Sequence, residues 1–151
     1  MIDHLYSLAG LNVNSPREAF RQIAIQLSKH MSIEPQRLYD ALCVINKQDH
    51  AGIGRGLAVP QGRVPFLTQP LHLIATLKKS INFDSLDHMP VDLIFIVLSP
   101  EKDVKGHLSR LAYISRMLKD DDLCDRLKGC ETTDAMQALL LDSNMPYAKA
   151  A

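Results

Sequence analysis

The chain has 151 residues, 46% apolar and 23% charged, the composition of one ordinary globular domain and not of a disordered segment. Lysine plus arginine balances aspartate plus glutamate at 17 each, which excludes the strong bulk field expected of a nucleic-acid or anionic-membrane binder. Aromatic residues are 5% and tryptophan is absent, so no base-stacking platform is expected.

The first residues, Met1 to Leu5, lack a basic region ahead of a long apolar run, and no signal peptide is read. Ser15 is suited to cap a helix, Pro16 to occupy its first position and Glu18 to complete a capping box. Phe20, Ile23, Ala24, Leu27 and Met31 then recur with helical spacing. A second helix is predicted from Glu34 and Pro35, with Leu38, Ala41, Leu42 and Ile45 as its buried stripe. Gly52, Gly54 and Gly56 end that run, and Leu57 to Val59 reads as a short strand stopping at Pro60.

The continuous apolar run Leu71 to Leu77 predicts a central strand. Ile81 to Phe83 reads as a short strand before a turn through Asp84 to Pro90. Val91 to Leu98, rich in β-branched and aromatic residues, gives the strongest strand signal and closes at Ser99 and Pro100. A helix from about Asp103 to Lys119 follows, with Val104, Leu108, Leu111, Ser115 and Leu118 predicted on its buried face. Leu123 to Leu127 and Thr133 to Leu141 are shorter helices separated by Gly129. No apolar stretch reaches the ~18 residues of a membrane span, and Asp92 interrupts the most apolar strand. Cys43, Cys124 and Cys130 are odd in number without metal-ligand spacing, which reads as free or buried thiols in a reducing cytoplasm. The pattern predicts a single cytoplasmic α/β domain over residues 1–151, a central mixed β-sheet flanked by helices on both sides.

Chemistry concentrates between Gly52 and Arg63. The alternating glycines permit positive φ or close backbone approach, and successive N–H groups in such a turn can form an anion-binding nest. Turn architecture is the plainer reading and phosphate binding the sharper one; the spacing fits neither a dinucleotide fingerprint nor a Walker loop. Pro60 presents the next side chain, Gln61, at the end of a tightly folded element. Arg55 and Arg63 flank the strand, and a guanidinium fork suits phosphate or carboxylate, although surface arginines are usually only solvated. His107, in the first turn of a helix, could donate to an anion there. From pattern alone the preferred reading is an ordinary, partly exposed histidine beside Val104 and Leu111. His4, His30, His50, His72 and His88 show no pair at ligand spacing, so neither metal nor cofactor is expected.

Two stretches carry a family resemblance. Gly52-Ile-Gly-Arg-Gly-Leu-Ala-Val-Pro60 resembles the Gly-Ile-Gly-Asn-Gly-Ile-Ala-Ile-Pro run of the fructose/mannitol/nitrogen-regulatory enzyme IIA family of the phosphoenolpyruvate phosphotransferase system. Ile81 to Leu98, and His107-Leu108 beyond it, are similar to that family's second active-site region. The resemblance spans about residues 10–142, is nearest the nitrogen-regulatory branch, and implies the enzyme IIA mannitol/fructose-like fold. It also implies a phosphoacceptor histidine directly after the proline, where this chain has Gln61, and a second active-site histidine at His107. Gly54, Arg55, Gly56, Pro60, Gly62 and Arg63 would form the surrounding phosphate or partner surface. Where nitrogen-regulatory members commonly have an arginine, this chain has Ile45.

A phosphoryl acceptor needs an imidazole nitrogen lone pair, whereas an amide nitrogen's lone pair is delocalised into its carbonyl. The resemblance therefore implies a regulatory protein-binding module that cannot be phosphorylated at the usual site. Its implied partners are the phosphocarrier protein of the nitrogen branch and targets such as potassium-transport, sensor-kinase or stringent-response proteins, with neither nucleic acid nor membrane insertion. The alternatives are an active phosphocarrier whose acceptor has moved to a residue such as His107, or one in which Gln61 is an introduced His→Gln change. A purely structural role is the bland alternative.

Overall fold

A computed structural model describes residues 5–48 and 51–142, which leaves His4 and His50 outside the described residues. The chain runs β1 Leu5–Leu11, α1 Pro16–Ser28, α2 Pro35–Gln48, β2 Gly52–Gly54, β3 Leu57–Ala58, β4 Gln61–Val64, β5 Leu71–Ile81 and β6 Val91–Pro100. It continues through α3 Val104–Leu118, α4 Asp121–Lys128 and α5 Thr133–Asp142. Among the described residues the strands form one mixed sheet in the order β1-β5-β6-β3-β2, with β4 also paired to β6. β5 and β6 are antiparallel, while β1 runs parallel to β5, and β3 and β4 run parallel to β6.

The continuous apolar character of β6 has a simple cause: both its faces are covered. Ile94, Ile96 and Leu98 enter a core with Phe20, Ile23 and Leu27 of α1 and Leu38 and Leu42 of α2. Leu93, Phe95 and Val97 point the other way, against Ile114 and Met117 of α3, Leu123 and Leu127 of α4, and Met136 and Leu140 of α5. At roughly 1.5–3 kcal/mol for each large apolar side chain fully buried, these two layers are the main source of stability.

At the start of α1, Ser15 Oγ accepts from the Glu18 amide at 3.2 Å, and Glu18 Oε2 accepts from the Asn14 amide at 2.7 Å. This capping box thus reaches one residue further back than the usual form.

The structure departs from the sequence reading in several places: α1 ends at Ser28, before Met31, and Gly52–Gly54, read only as a turn, forms β2. β1 was not anticipated; it forms an edge whose Ala9 and Gly10 amides donate to the Thr133 and Thr76 hydroxyls. Ile81 ends the long β5, and Phe83 lies outside any strand. Pro60 does not stop the chain's pairing with β6. Leu57 lies opposite Leu93 and Gln61 opposite Val97, so β3 and β4 share one register across a two-residue break. A proline has no amide to donate, but its carbonyl still accepts from the Val97 amide at 3.0 Å. Finally, α3 is rotated about its axis from the predicted face. Val104 and Leu108 are 48% and 61% exposed, Ser115 is exposed and Leu111 half-buried; of the predicted face only Leu118 is buried, while His107, Ile114 and Met117 turn inward.

Candidate functional site

Gln61 is the first residue of β4, held beside Val97 by the parallel pairing. Two residues beyond Val97, the fully buried Ser99 stands near the end of β6. The chain then turns at Asp103, whose carboxylate caps α3 by accepting from the Gly106 amide at 3.1 Å. A Cβ at Gly106 would collide with that carboxylate as it stands, so a side chain there would push the Asp103 and Arg110 groups aside. His107 follows on the inward side of the first turn, only 5% exposed.

These elements assemble a hydrogen-bonded row. His107 Nε2 lies 2.7 Å from Gln61 Oε1, and His107 Nδ1 lies 2.7 Å from Ser99 Oγ. One turn further along α3, Arg110 Nη2 donates to both Ser99 Oγ and Asp103 Oδ2 at 2.7 Å. The Arg110 bond, first among the causes, holds the Asp103 carboxyl below its ordinary value. Burial, then the Arg110 and Arg63 charges, hold the His107 imidazolium below its ordinary value, with Asp103 opposing them. The imidazole is therefore favoured in its neutral form.

Gln61 and His107 open onto a pocket of about 240 Å³ lined also by Ile45, Gln48, Gly62 and Arg63. Gly62 lets α2 approach β4 closely, because a Cβ there would stand 2.9 Å from Ile45 Cδ1. Ile45, expected on the buried stripe of α2, is half-buried and forms an apolar wall of the pocket. Arg63 is exposed, and its Nη1 donates to the Glu101 carbonyl.

The glycine turn lies elsewhere. Gly54, Arg55 and Gly56 form the tip of the β2–β3 hairpin, with φ of 92°, 56° and 76°. β3 pairs with the start of β6, about 13 Å along the sheet from Gln61 at strand rise. The Arg55 amide donates to Asp87 Oδ2 at 2.9 Å, so this turn holds the chain's own carboxylate. That bond is the first cause holding Asp87 below its ordinary value. The Arg55 guanidinium ties the hairpin to the far end of α3, meeting the Leu118 carbonyl at 3.0 Å and Asp121 at 2.8 Å. Of the sequence candidates, Pro60, Gln61, Gly62, Arg63 and His107 gather at one end of β6 and Gly54, Arg55 and Gly56 at the other.

His107 is also not the partly exposed residue preferred from pattern alone, because Ser99 and Gln61 draw it inward. Sequence reasoning missed Ser99, Asp103 and Arg110 as site residues. The one available signal was helical: Arg110 lies three residues after His107, on the same face. Among the described residues, no group of three or more histidine, cysteine or acidic side chains is placed to hold a metal. Cys43, Cys124 and Cys130 are free thiols.

A helix-start histidine hydrogen-bonded to the first side chain of a strand, beside an open pocket on a mixed sheet covered by helices on both sides, is the arrangement of a type-2 enzyme IIA domain. Residues 3–143 match the family described as phosphoenolpyruvate-dependent sugar phosphotransferase system, EIIA 2, and the chain belongs to that family. A nitrogen regulatory protein from Bradyrhizobium diazoefficiens is 33% identical over 144 residues, spanning 95% of this chain and 92% of the relative. The crystal structure of nitrogen regulatory protein IIA-Ntr from Neisseria meningitidis superposes with TM-score 0.79 at 26% identity, covering 91% of this chain and 92% of that one. The Escherichia coli mannitol enzyme IIA, solved in complex with phosphorylated enzyme IIB, shares the fold with TM-score 0.70 at 19% identity, covering 89% and 93%. Among the described residues no helix is long and apolar enough to cross a membrane.

Proposed function

We propose that this chain is a regulatory protein-binding module of the nitrogen-regulatory kind, acting in the cytoplasm and not phosphorylated at the family's usual position. The observation that carries this reading is the 2.7 Å contact between His107 Nε2 and Gln61 Oε1. Gln61 fills the acceptor position with a group that forms hydrogen bonds but offers no nucleophilic lone pair on nitrogen. Its uncharged amide keeps the surface in a state like that of an unphosphorylated domain, without the roughly −1.5 to −2 charges of a phosphoryl group. The nitrogen-regulatory names of relatives across most of the chain support the branch.

The output of such a module is contact through the surface around Gln61, Arg63 and His107. Its partners by this reading are the phosphocarrier protein of the nitrogen branch and regulatory targets such as potassium-transport, sensor-kinase or stringent-response proteins. A relocated acceptor at His107 has less support, because both ring nitrogens already hold hydrogen bonds.

Calorimetric titration of the nitrogen-branch phosphocarrier protein into wild type and Arg63→Glu tests the surface. Arg63→Glu is expected to weaken binding at least tenfold, about 1.4 kcal/mol, by reversing a charge at the rim. Equal affinity of the two proteins would contradict the assignment.

A further inference from the structure

The hydrogen bonds ending at Gln61 have a direction that their chemistry fixes. Arg110 carries only donors, and its Nη2 lies 2.7 Å from Ser99 Oγ, so Ser99 accepts from it. Ser99 has one hydrogen of its own, and its side chain's other hydrogen-bond partner is His107 Nδ1 at 2.7 Å. Suppose Nδ1 carried the imidazole proton. Two donors would then converge on Ser99 Oγ, and a hydroxyl hydrogen at a fully buried position would lack an acceptor. The consistent arrangement has Ser99 donating to Nδ1, which places the proton of a neutral ring on Nε2. Nε2–H then requires the carbonyl, not the amide nitrogen, of Gln61 at 2.7 Å. Among the described residues the Gln61 NH₂ group has no partner and is left as the free end of the row, in a pocket wall shared with Arg63.

We infer that Ser99 and Arg110 are positioning residues that set the polarity of Gln61, making its pocket a donor-lined site for an oxyanion presented by a partner. The shared chemistry of such a ligand is a carboxylate or phosphoryl oxygen, bound without a covalent bond. Asp103 serves the row from its other end by fixing Arg110, at 2.7 Å. This inference rests on the reading of the pocket as the partner-facing surface.

The test uses the full chain labelled with ¹⁵N, in which long-range ¹H–¹⁵N spectra show which nitrogen of His107 bears the proton. Wild type is expected to show the Nε2–H tautomer, and Ser99→Ala a mixture of tautomers. Arg110→Lys, which keeps a donor-only group, is expected to retain the wild-type tautomer, and Arg110→Met to lose it. Sodium phosphate and sodium acetate are then titrated separately at constant ionic strength, following the Gln61 side-chain amide. At least one anion is expected to give saturable shifts, weakened about three- to tenfold in Ser99→Ala. Saturation by phosphate alone identifies a phosphoryl ligand, and by acetate alone a carboxylate.

A wild-type Nδ1–H tautomer, the same tautomer and anion affinity in Ser99→Ala and Arg110→Met, or no saturable response to either anion would overturn the inference. Where Ser99→Ala does not fold, the paired Arg110 variants decide the question with the same two readouts. Covalent phosphate on wild type would instead overturn the functional reading, leaving tautomer and anion affinity to be judged separately.

Discussion

Replacing Gly56 by alanine separates the glycine hairpin from the Gln61 pocket. Gly56 has φ of 76°, a left-handed conformation that costs an ordinary L-residue roughly 1–2 kcal/mol. The added Cβ would also stand 3.0 Å from Asp92 Oδ1 and 3.4 Å from Lys128 Nζ, wedging into an ion pair of 3.0 Å. Those side chains are 38% and 25% exposed, so loosening the pair adds only about 0–1 kcal/mol. Alanine's smaller unfolded-state entropy returns about 0.4–1 kcal/mol. A net loss of about 1–2 kcal/mol follows, or roughly 3–6 °C in Tm for a chain of this size. Urea unfolding gives the energy, and Gly56→Asn divides it, since asparagine tolerates the left-handed region better while bringing the same Cβ. The Gln61 side-chain amide resonance is expected to stay in place. Undiminished stability, or a shifted Gln61 resonance with weakened partner binding, would refute the separation.

Further expectations concern the row behind Gln61. His107 is held below its ordinary value of 6.5, first by burial and then by Arg110 and Arg63, so the unfolded chain binds more protons as the pH falls below that value. Stability therefore rises with pH through that window, and the urea midpoint of wild type should be lower at pH 5.5 than at pH 7.5 by more than that of His107→Gln; equal differences would refute this. Asp103→Ala removes the α3 cap and the Arg110 partner and should lower the urea midpoint, whereas an unchanged midpoint would count against the capping role. Arg55→Ala breaks an exposed pair with Asp121, of side-chain exposures 49% and 80%, and should leave partner affinity unchanged in calorimetry.

The parts of the fold that were legible in the sequence are those where one physical signal acts alone. β6 could be read because a strand covered on both faces must be apolar at nearly every position. The start of α1 was legible because Ser15, Pro16 and Glu18 agree on one helix start. The α3 face was misread because its first inward residue is a histidine, and hydrophobic periodicity gives a polar residue no credit for facing a buried serine. β1 was missed because its burial is irregular, with only Leu5 and Ser7 buried among its residues.

The candidate site was half legible for a related reason. Gln61 and His107 stood out through resemblance, but Gly54 and Gly56, only a few residues before Gln61 in sequence, lie at the opposite end of β6 in space. Their turn already contains Asp87, a residue far along the chain that no local pattern connects to Arg55. Ser99 and Arg110 lack any motif; only the meeting of a strand end with a helix start gives them a role.

The central claim is that Gln61 leaves this domain without its phosphoacceptor. It is tested most directly by incubating wild type and Gln61→His with the phosphorylated nitrogen-branch phosphocarrier protein and measuring acid-labile phosphate on each. The account predicts none on wild type, and transfer to Gln61→His to the extent that Ile45 and the rest of the pocket permit it. Robust acid-labile labelling of wild type would contradict it, and loss of that label in His107→Ala would identify a relocated acceptor.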